Sequence, residues 1–519
     1  MNFLRATKIN QMLSRRRDEF SPSACIKLPN ICRALTRNRH DQRRFIMKKW
    51  RCTICKYEVT GPNPPLKCPV CGASQDKFEL IEEIVEKEIT NITDKETTQI
   101  HNSVSNETEL PLDNYLSEYS RNEYEGEEKF SLIQKMAKTG KSEISPMGTR
   151  HTYQDLQTIL FRGAQFFRKP LDEKENVSTK TIIGAIAEKP LELEIPYYVS
   201  HMSFGALSIE AKIALAMGAS EVGTATCSGE GGMHPEERKH ATRYIYEIGT
   251  TSFTRDENIL RQADAVEIKF GQAAKPGMGG HLPGSKVTEE IAAIRGIKPG
   301  EDFISPNTQP DIHNSEDLKK LVDHVREVIE GKPVGIKFSA GHIEEDLKFV
   351  LAAKPDFITI DCRGGATGAA PEYIRDNVCL PSIYAIRRTR KYLDSVESKV
   401  TFCVTGGFRD STDIAKALAL GVDAVALATS SLLAIGCQQY RICNTGKCPV
   451  GIATQDPKMR ARFSIPASKQ RFVNFYNTTK DELETLARIN GRSNVHDLDL
   501  SDIFTVCSDI AENTDVVFA

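Results

Sequence analysis

From about residue 145 onward the chain alternates short apolar runs with helix-like stretches, and this pattern restricts the fold more than any other feature. Seven runs read as strands: 195–200 (IPYYVS), 222–229 (VGTATCSG), 265–271 (AVEIKFG), 334–340 (VGIKFSA), 357–365 (FITIDCRGG), 399–407 (KVTFCVTGG) and 424–432 (AVALATSSL). Segments such as SIEAKIALAMGASE and STDIAKALALG lie between them. Strand–helix alternation calls for a parallel sheet covered on both faces. Seven or eight repeats in roughly 300 residues fit a closed barrel better than an open sheet. The expected fold class is α/β, a (β/α)8 TIM barrel over residues 145–465, with a helical extension over 466–519.

The strand ends are polar: SHMSFG, SGEGG, KFGQ, KFSAG, DCRGGATG, TGG and ATSS. Barrels of this kind carry their sites at the C-terminal strand ends, often with a phosphate held after the last two strands. Gly406 and Gly407 fall at the penultimate strand end, where bare backbone N–H groups can approach an anion before the next helix begins. The loop GQAAKPGMGGHLPGSK (271–286) is rich in glycine and holds Gln272, Lys275 and Lys286. Long loops at barrel strand ends are where such folds keep function.

Seven of the fourteen cysteines fall in two clusters. Clustered thiols in a chain of 519 residues point to metal in a reducing compartment, hence the cytoplasm, rather than to a disulfide scaffold. In the first cluster Cys52-x-x-Cys55 and Cys68-x-x-Cys71 form two knuckles able to aim four thiolates at one tetrahedral metal. Trp50, Tyr57, the paired prolines and Phe78 around them resemble a rubredoxin-like domain of the rubrerythrin-associated type over 47–81. That resemblance implies one iron, with zinc as the alternative, working as a one-electron carrier. The second cluster, Cys437, Cys443 and Cys448 in GCQQYRICNTGKCPVGIATQ, is one thiolate short of a zinc site; a redox disulfide with a spare cysteine is the competing reading.

Residues 1–46 are arginine-rich and without periodicity, and are expected to be disordered or to precede the true start at Met47. Residues 82–144 read as an acidic linker and lead-in, with a short helix conceivable after Pro111; few large apolar side chains fall in 82–128. A net charge of −2 gives no basic face for nucleic acid. No run approaches the roughly 20 apolar residues of a membrane span.

SHMSFGALS, SGEGG, IKFGQAAKPGMGGHLPGSKVTEEIAAIRGIKPG, ISPNTQPDIHNSEDL, GGATGAAP and the cysteine loop occur in one order. Together they resemble the FMN-binding synthase domain of the glutamate synthase large subunit, in its split archaeal-type form. The resemblance implies a barrel carrying FMN and a [3Fe–4S] cluster, the latter on Cys437, Cys443 and Cys448. It implies a 2-oxoglutarate pocket of Gln272, Lys275 and Arg295 with Glu230 nearby. FMN is expected against Met202, Ser203, Lys337, Gly364, Gly365, Gly406, Gly407 and Thr429. Lys337 either stabilises charge on the flavin or pairs with an acid such as Asp361.

The implied reaction is reductive amination of 2-oxoglutarate by ammonia. No cysteine follows Met1 or Met47 to act as a glutaminase nucleophile. A separate glutaminase subunit and an electron donor, either ferredoxin or an NAD(P)H-oxidising subunit, are therefore the expected partners. The alternatives are an N-methylglutamate synthase-like enzyme using methylamine, and an FMN/iron electron-transfer subunit.

Overall fold

The computed structural model describes residues 47–61, 63–84 and 129–519. The expectations for 1–46, for the bulk of the linker and for a helix after Pro111 lie outside the described residues. Contacts divide the chain into two units, Met1–Glu107 and Thr108–Ala519.

In the first unit Met47–Cys52 is the central strand of an antiparallel three-stranded sheet, between Glu58–Gly61 and Phe78–Ile84. Each C-x-x-C turn closes in the same way. Lys56 N donates to Cys52 O (2.9 Å) and Gly72 N to Cys68 O (2.8 Å), with Lys56 and Gly72 both at positive φ.

The second unit is built on eight parallel strands: β1 Tyr197–Val199, β2 Thr226–Cys227, β3 Tyr244–Ile248, β4 Ala265–Lys269, β5 Val334–Ser339, β6 Phe357–Asp361, β7 Thr401–Thr405 and β8 Ala424–Leu427. Their order is β1-β8-β7-β6-β5-β4-β3-β2. Val199 N donates to Ala225 O (3.0 Å) across the remaining gap, so the sheet closes into a barrel. Seven strands coincide with the apolar runs of the sequence. The eighth, β3, is a run the sequence reading passed over, and Glu247 is its fourth residue.

Side chains alternate along the strands, as the two-residue period requires. Val266, Ile268, Ile336, Ile358, Ile360, Val404 and Val425 pack into the large core beneath the helices. Their neighbours Tyr198, Cys227, Ile245, Ala265, Phe357, Cys403 and Ala424 form a separate apolar cluster drawn from seven of the eight strands, the barrel interior. Ile183, Leu191 and Leu193 of the hairpin Thr181–Ile183/Leu191–Leu193 join that cluster and plug its N-terminal end. Further along the same inward rows the residues become Glu247, Glu267, Lys269, Lys337, Thr359, Asp361 and Thr405, all buried. The interior thus passes from a dry floor to a charged mouth.

Helix α1 (Ile209–Glu221) follows β1, α2 (Glu289–Arg295) closes the 271–286 loop region, α3 (Ser411–Ala419) follows β7, and α4 (Thr429–Ala434) follows β8. The C-terminal stretch contributes α5, Ile465–Ile489, which packs along α1 at the barrel seam. Gly218 makes this approach possible, since a Cβ there would lie 2.4 Å from the Phe472 ring. Phe472 in turn stacks on Tyr476, whose carbonyl accepts from the Tyr197 hydroxyl (2.6 Å). Beyond α5 the chain is not wholly helical: Ile503–Thr505 pairs antiparallel with Ile159–Phe161, ahead of the barrel.

Candidate functional site

Two adjoining cavities open at the C-terminal strand ends. The larger, about 170 Å³, is lined by Glu230, Gln272, Lys275 and Arg295, by Met202, Ser203 and Thr429, and by Cys437, Cys443 and Cys448. The smaller, about 40 Å³, is lined by Lys337, Gly364, Gly365, Gly406 and Gly407. His201, Gln272, Ala366, Ala428 and Thr429 belong to both walls. Every barrel residue singled out from the sequence therefore lies on one continuous surface.

The cationic side of the larger cavity comes from separate elements. Arg295, at the end of α2, is anchored by Nη2 to Phe204 O (2.9 Å), and its guanidinium lies 4.9 Å from the Phe303 ring centre. Its Nε is buried without a hydrogen-bond partner among the described residues. Burial draws its pKa down to about 10, against the pull of Glu230. Lys275 Nζ donates to Gly279 O (2.8 Å), and burial lowers its pKa despite Glu230. Gln272 Nε2 donates to Thr367 Oγ1 at 3.2 Å. Burial pushes the Glu230 carboxyl up, but Lys269 and Lys275 outweigh it and hold it below the usual carboxylate range.

The sequence reading missed Lys269 and Glu247. Lys269 Nζ lies 2.7 Å from Glu230 Oε2 and 3.5 Å from Glu247 Oε1, while Lys337 Nζ lies 3.5 Å from Glu247 Oε2. Glu247, fully buried, would be raised by burial alone; Lys269, Lys337 and His201 bring it down to about 2. Lys337 thus pairs with Glu247 on the overlooked strand, and Asp361, the acid suspected from sequence, feels it only at longer range. The signal was present, since β4 and β5 share the triplet Ile-Lys-Phe and a lysine inside a buried strand needs a partner.

The smaller cavity has the form of an anion cradle. Gly406 (φ 108°) and Gly407 (φ 102°) are in a region that L side chains avoid. A Cβ on Gly406 would meet Cys362 O at 2.4 Å, and one on Gly364 would meet Gly407 Cα at 2.6 Å. Arg409 lines the same wall. The helix expected to receive the anion needs correcting: α3 is already capped, Thr412 N and Asp413 N both donating to Asp410. Helix α4 has Ala428 at its N-cap and no side-chain cap, so its N–H groups are the ones left over on this side. Asp361 Oδ1 and His201 Nδ1 are also buried without a hydrogen-bond partner among the described residues. A glycine-walled cradle with unsatisfied polar groups beneath it fits a phosphate-bearing polar cofactor.

The cysteine loop leaves α4 and folds against the larger cavity. Cys448 is buried, Cys437 and Cys443 half-buried, and Cys437 Sγ accepts from Gln439 N at 3.4 Å. Lys286 Nζ donates to Ala206 O (3.2 Å) and Cys443 O (3.3 Å), and Arg441 Nη1 to Gly148 O (2.9 Å). These bonds fix the loop to its surroundings. All three thiols lie on the wall of this one cavity.

In the first unit the four sulfurs of Cys52, Cys55, Cys68 and Cys71 lie within 4.8 Å of one another, with pairs at 3.5 and 3.6 Å. A tetrahedron of thiolates on a metal with bonds of about 2.3 Å has edges of about 3.8 Å. Backbone N–H groups of Tyr57 and Ala73 address Cys55 and Cys71. This is a preformed four-thiolate site.

Comparison with known proteins agrees with both units. Residues 127–493 match the conserved region in glutamate synthase, and residues 50–79 the rubredoxin-like domain of rubrerythrin. A glutamate synthase large subunit-like protein of Rhizobium meliloti is 35% identical over 408 residues, covering 75% of this chain and 92% of that protein. The archaeal-type glutamate synthase [NADPH] of Thermotoga maritima is 35% identical over 379 residues, covering 68% and 75%. The archaeal glutamate synthase [NADPH] of Archaeoglobus fulgidus is 41% identical over 300 residues, covering 57% and 59%. Among solved structures, a flavocytochrome b2 variant gives a TM-score of 0.46 at 16% identity, over 71% of this chain and 82% of that one. The barrel with its charged, glycine-cradled mouth belongs to an oxidoreductase. The chain is a member of the glutamate synthase family carrying a rubredoxin-like metal-binding domain. Among the described residues no helix is long and apolar enough to cross a membrane.

Proposed function

We propose that the protein makes L-glutamate by reductive amination of 2-oxoglutarate. The observation that carries this reading is the larger cavity, where Arg295 and Lys275 face Glu230 and Gln272 beside three cysteines. A dicarboxylate keto acid needs two cationic anchors and a donor for its carbonyl oxygen. Arg295 and Lys275 serve as the anchors, and Gln272 donates to the keto oxygen. Glu230, kept ionised by Lys269, orients the incoming ammonia and the imine nitrogen it becomes.

FMN would be held at its phosphate by Gly406, Gly407 and Arg409, and elsewhere by Met202, Ser203, Lys337, Gly364, Gly365 and Thr429. When reduced it supplies the hydride for the imine carbon. Lys337 stabilises negative charge in that cavity, with Glu247 3.5 Å away as its counter-charge. Cys437, Cys443 and Cys448 hold a [3Fe–4S] cluster that passes electrons singly, and the four-thiolate site of the first unit holds iron as a further carrier. NADPH appears in the names of two relatives, and we take an NADPH-oxidising protein or a ferredoxin as the electron source.

The test is ligand binding combined with product analysis. Titration of the oxidised protein with 2-oxoglutarate should give saturable binding that Arg295→Met and Lys275→Met each weaken at least tenfold. Reduced protein given 15N-ammonium should yield 15N-glutamate. N-methylglutamate formed from methylamine in preference to glutamate from ammonium would replace this reading with the methylamine-using one. A protein that binds flavin but no 2-oxo acid would be an electron-transfer subunit.

A further inference from the structure

Beneath both cavities lies a group the reaction described above does not use. His201, at the end of β1, has a side chain only 2% exposed. Its Nε2 is 2.7 Å from Glu267 Oε2, close enough for a hydrogen bond but out of line for one, and 3.8 Å from Glu247 Oε2. Its Nδ1 has no hydrogen-bond partner among the described residues. Charged groups from four strands gather here: Glu247 on β3 and Glu267 on β4 face the ring, Lys269 on β4 and Lys337 on β5 pair with Glu247, and Asp361 on β6 interacts with the ring electrostatically. Glu267 is further held by Thr359 Oγ1. The ammonium groups of Lys269 and Lys337, each 3.5 Å from Glu247, already supply the positive charge that a bound cation would bring.

This inference rests on the function proposed above. Converting 2-oxoglutarate and ammonium to glutamate and water consumes two electrons and two protons. Electrons delivered one at a time through iron bring no protons with them. The hydride accounts for one proton, and the amine nitrogen needs the other inside a closed cavity. We propose that His201 is the proton store of this site: it gives the Nδ1 proton towards the cavity as the amine forms, and recovers one from solvent when the next electrons arrive. In the delivering step the Nδ1–H bond breaks and an N–H bond forms on the nitrogen of the product. The neutral ring keeps its remaining proton at Nε2, where the negative charge of Glu267 2.7 Å away favours it. His201 acts through this relay, as a positioning and proton-holding residue.

The test compares wild type with His201→Gln and Glu267→Gln, all as flavin-loaded full-length protein. The first readout needs no turnover: the pH dependence of the flavin midpoint potential, which counts protons taken up per two electrons. Wild type should take up about one proton more than His201→Gln between pH 6 and 9, so its reduction equilibrium changes up to tenfold more per pH unit. Glu267→Gln, which keeps the ring but removes its partner, should shift or shrink that extra uptake. The second readout is a single turnover with 2-oxoglutarate and ammonium, nearly independent of pH in wild type. In His201→Gln it should slow at least tenfold and fall about tenfold per pH unit. Equal proton counts in wild type and His201→Gln overturn the proposal. So does a variant that is slower or less stable but keeps the wild-type pH profile, because that marks a purely structural role. If His201→Gln does not fold, Glu267→Gln decides by the same two readouts. Failure of the underlying function is separately visible, as wild type that forms no glutamate or holds no flavin.

Discussion

Glu247 neutralises two lysines at once from a barrel strand, and the charge at the mouth depends on it. Its carboxyl is depressed from the ordinary value of 4.5 to about 2, so its ionisation stabilises the fold fully above pH 4.5. That contribution is lost as pH falls towards 2, and over this window wild type should give up about 3 kcal/mol. Denaturation followed from pH 6 to pH 2 checks it. Glu247→Gln should be less stable at pH 7 by about 3–5 kcal/mol, because Lys269 and Lys337 lose a buried counter-charge, and should show a shallower acid slope. The residue scale is also where reading the sequence succeeded unevenly. Lys275 was legible from its glycine-rich loop, and Glu230 and Arg295 only through the family motifs that contain them. Lys269 and Glu247 sit in apolar strands and His201 just past the end of β1, and their meaning appears only when neighbouring strands bring them within a few ångströms.

Elements hold the site by a few buried bonds. Lys212 on α1 is 1% exposed, and its Nζ donates to the carbonyls of Met202 (2.7 Å), Cys227 (3.0 Å) and Ser228 (3.1 Å) while pairing with Glu237 (2.7 Å). It ties the ends of β1 and β2 to the helix between them. Lys212→Met leaves Glu237 buried without its cation and should cost about 3–5 kcal/mol by chemical denaturation. It should also loosen the wall made by Met202 and Ser203, read as weaker flavin retention. In the cysteine loop, Cys443→Ser should abolish the cluster, seen as loss of its iron and its paramagnetic signal. The fixing bonds of Lys286 and Arg441 use backbone carbonyls and should persist. The helices and strands were largely visible as periodicity. The short β3 was not, because it offers only five residues and one of them is charged. The helix facing the anion was not legible, because α3 follows Gly406 and Gly407 in the chain and only the structure shows it capped by Asp410.

The whole molecule joins a four-thiolate unit to a barrel whose own cysteines line the larger cavity. Cys55→Ser together with Cys71→Ser should remove iron from the first unit and slow electron entry from the native donor. Turnover by protein reduced chemically beforehand should be unaffected, and a donor assay run beside a single-turnover assay separates the two outcomes. The central claim, that the barrel aminates 2-oxoglutarate with stored electrons, is tested most directly by one anaerobic mixing experiment. Fully reduced protein is mixed with 2-oxoglutarate and ammonium together, and with each alone, while flavin absorbance is followed. The account requires rapid reoxidation with both present, in step with glutamate formed, and little with either alone. Flavin that stays reduced with both substrates at saturating concentration contradicts it.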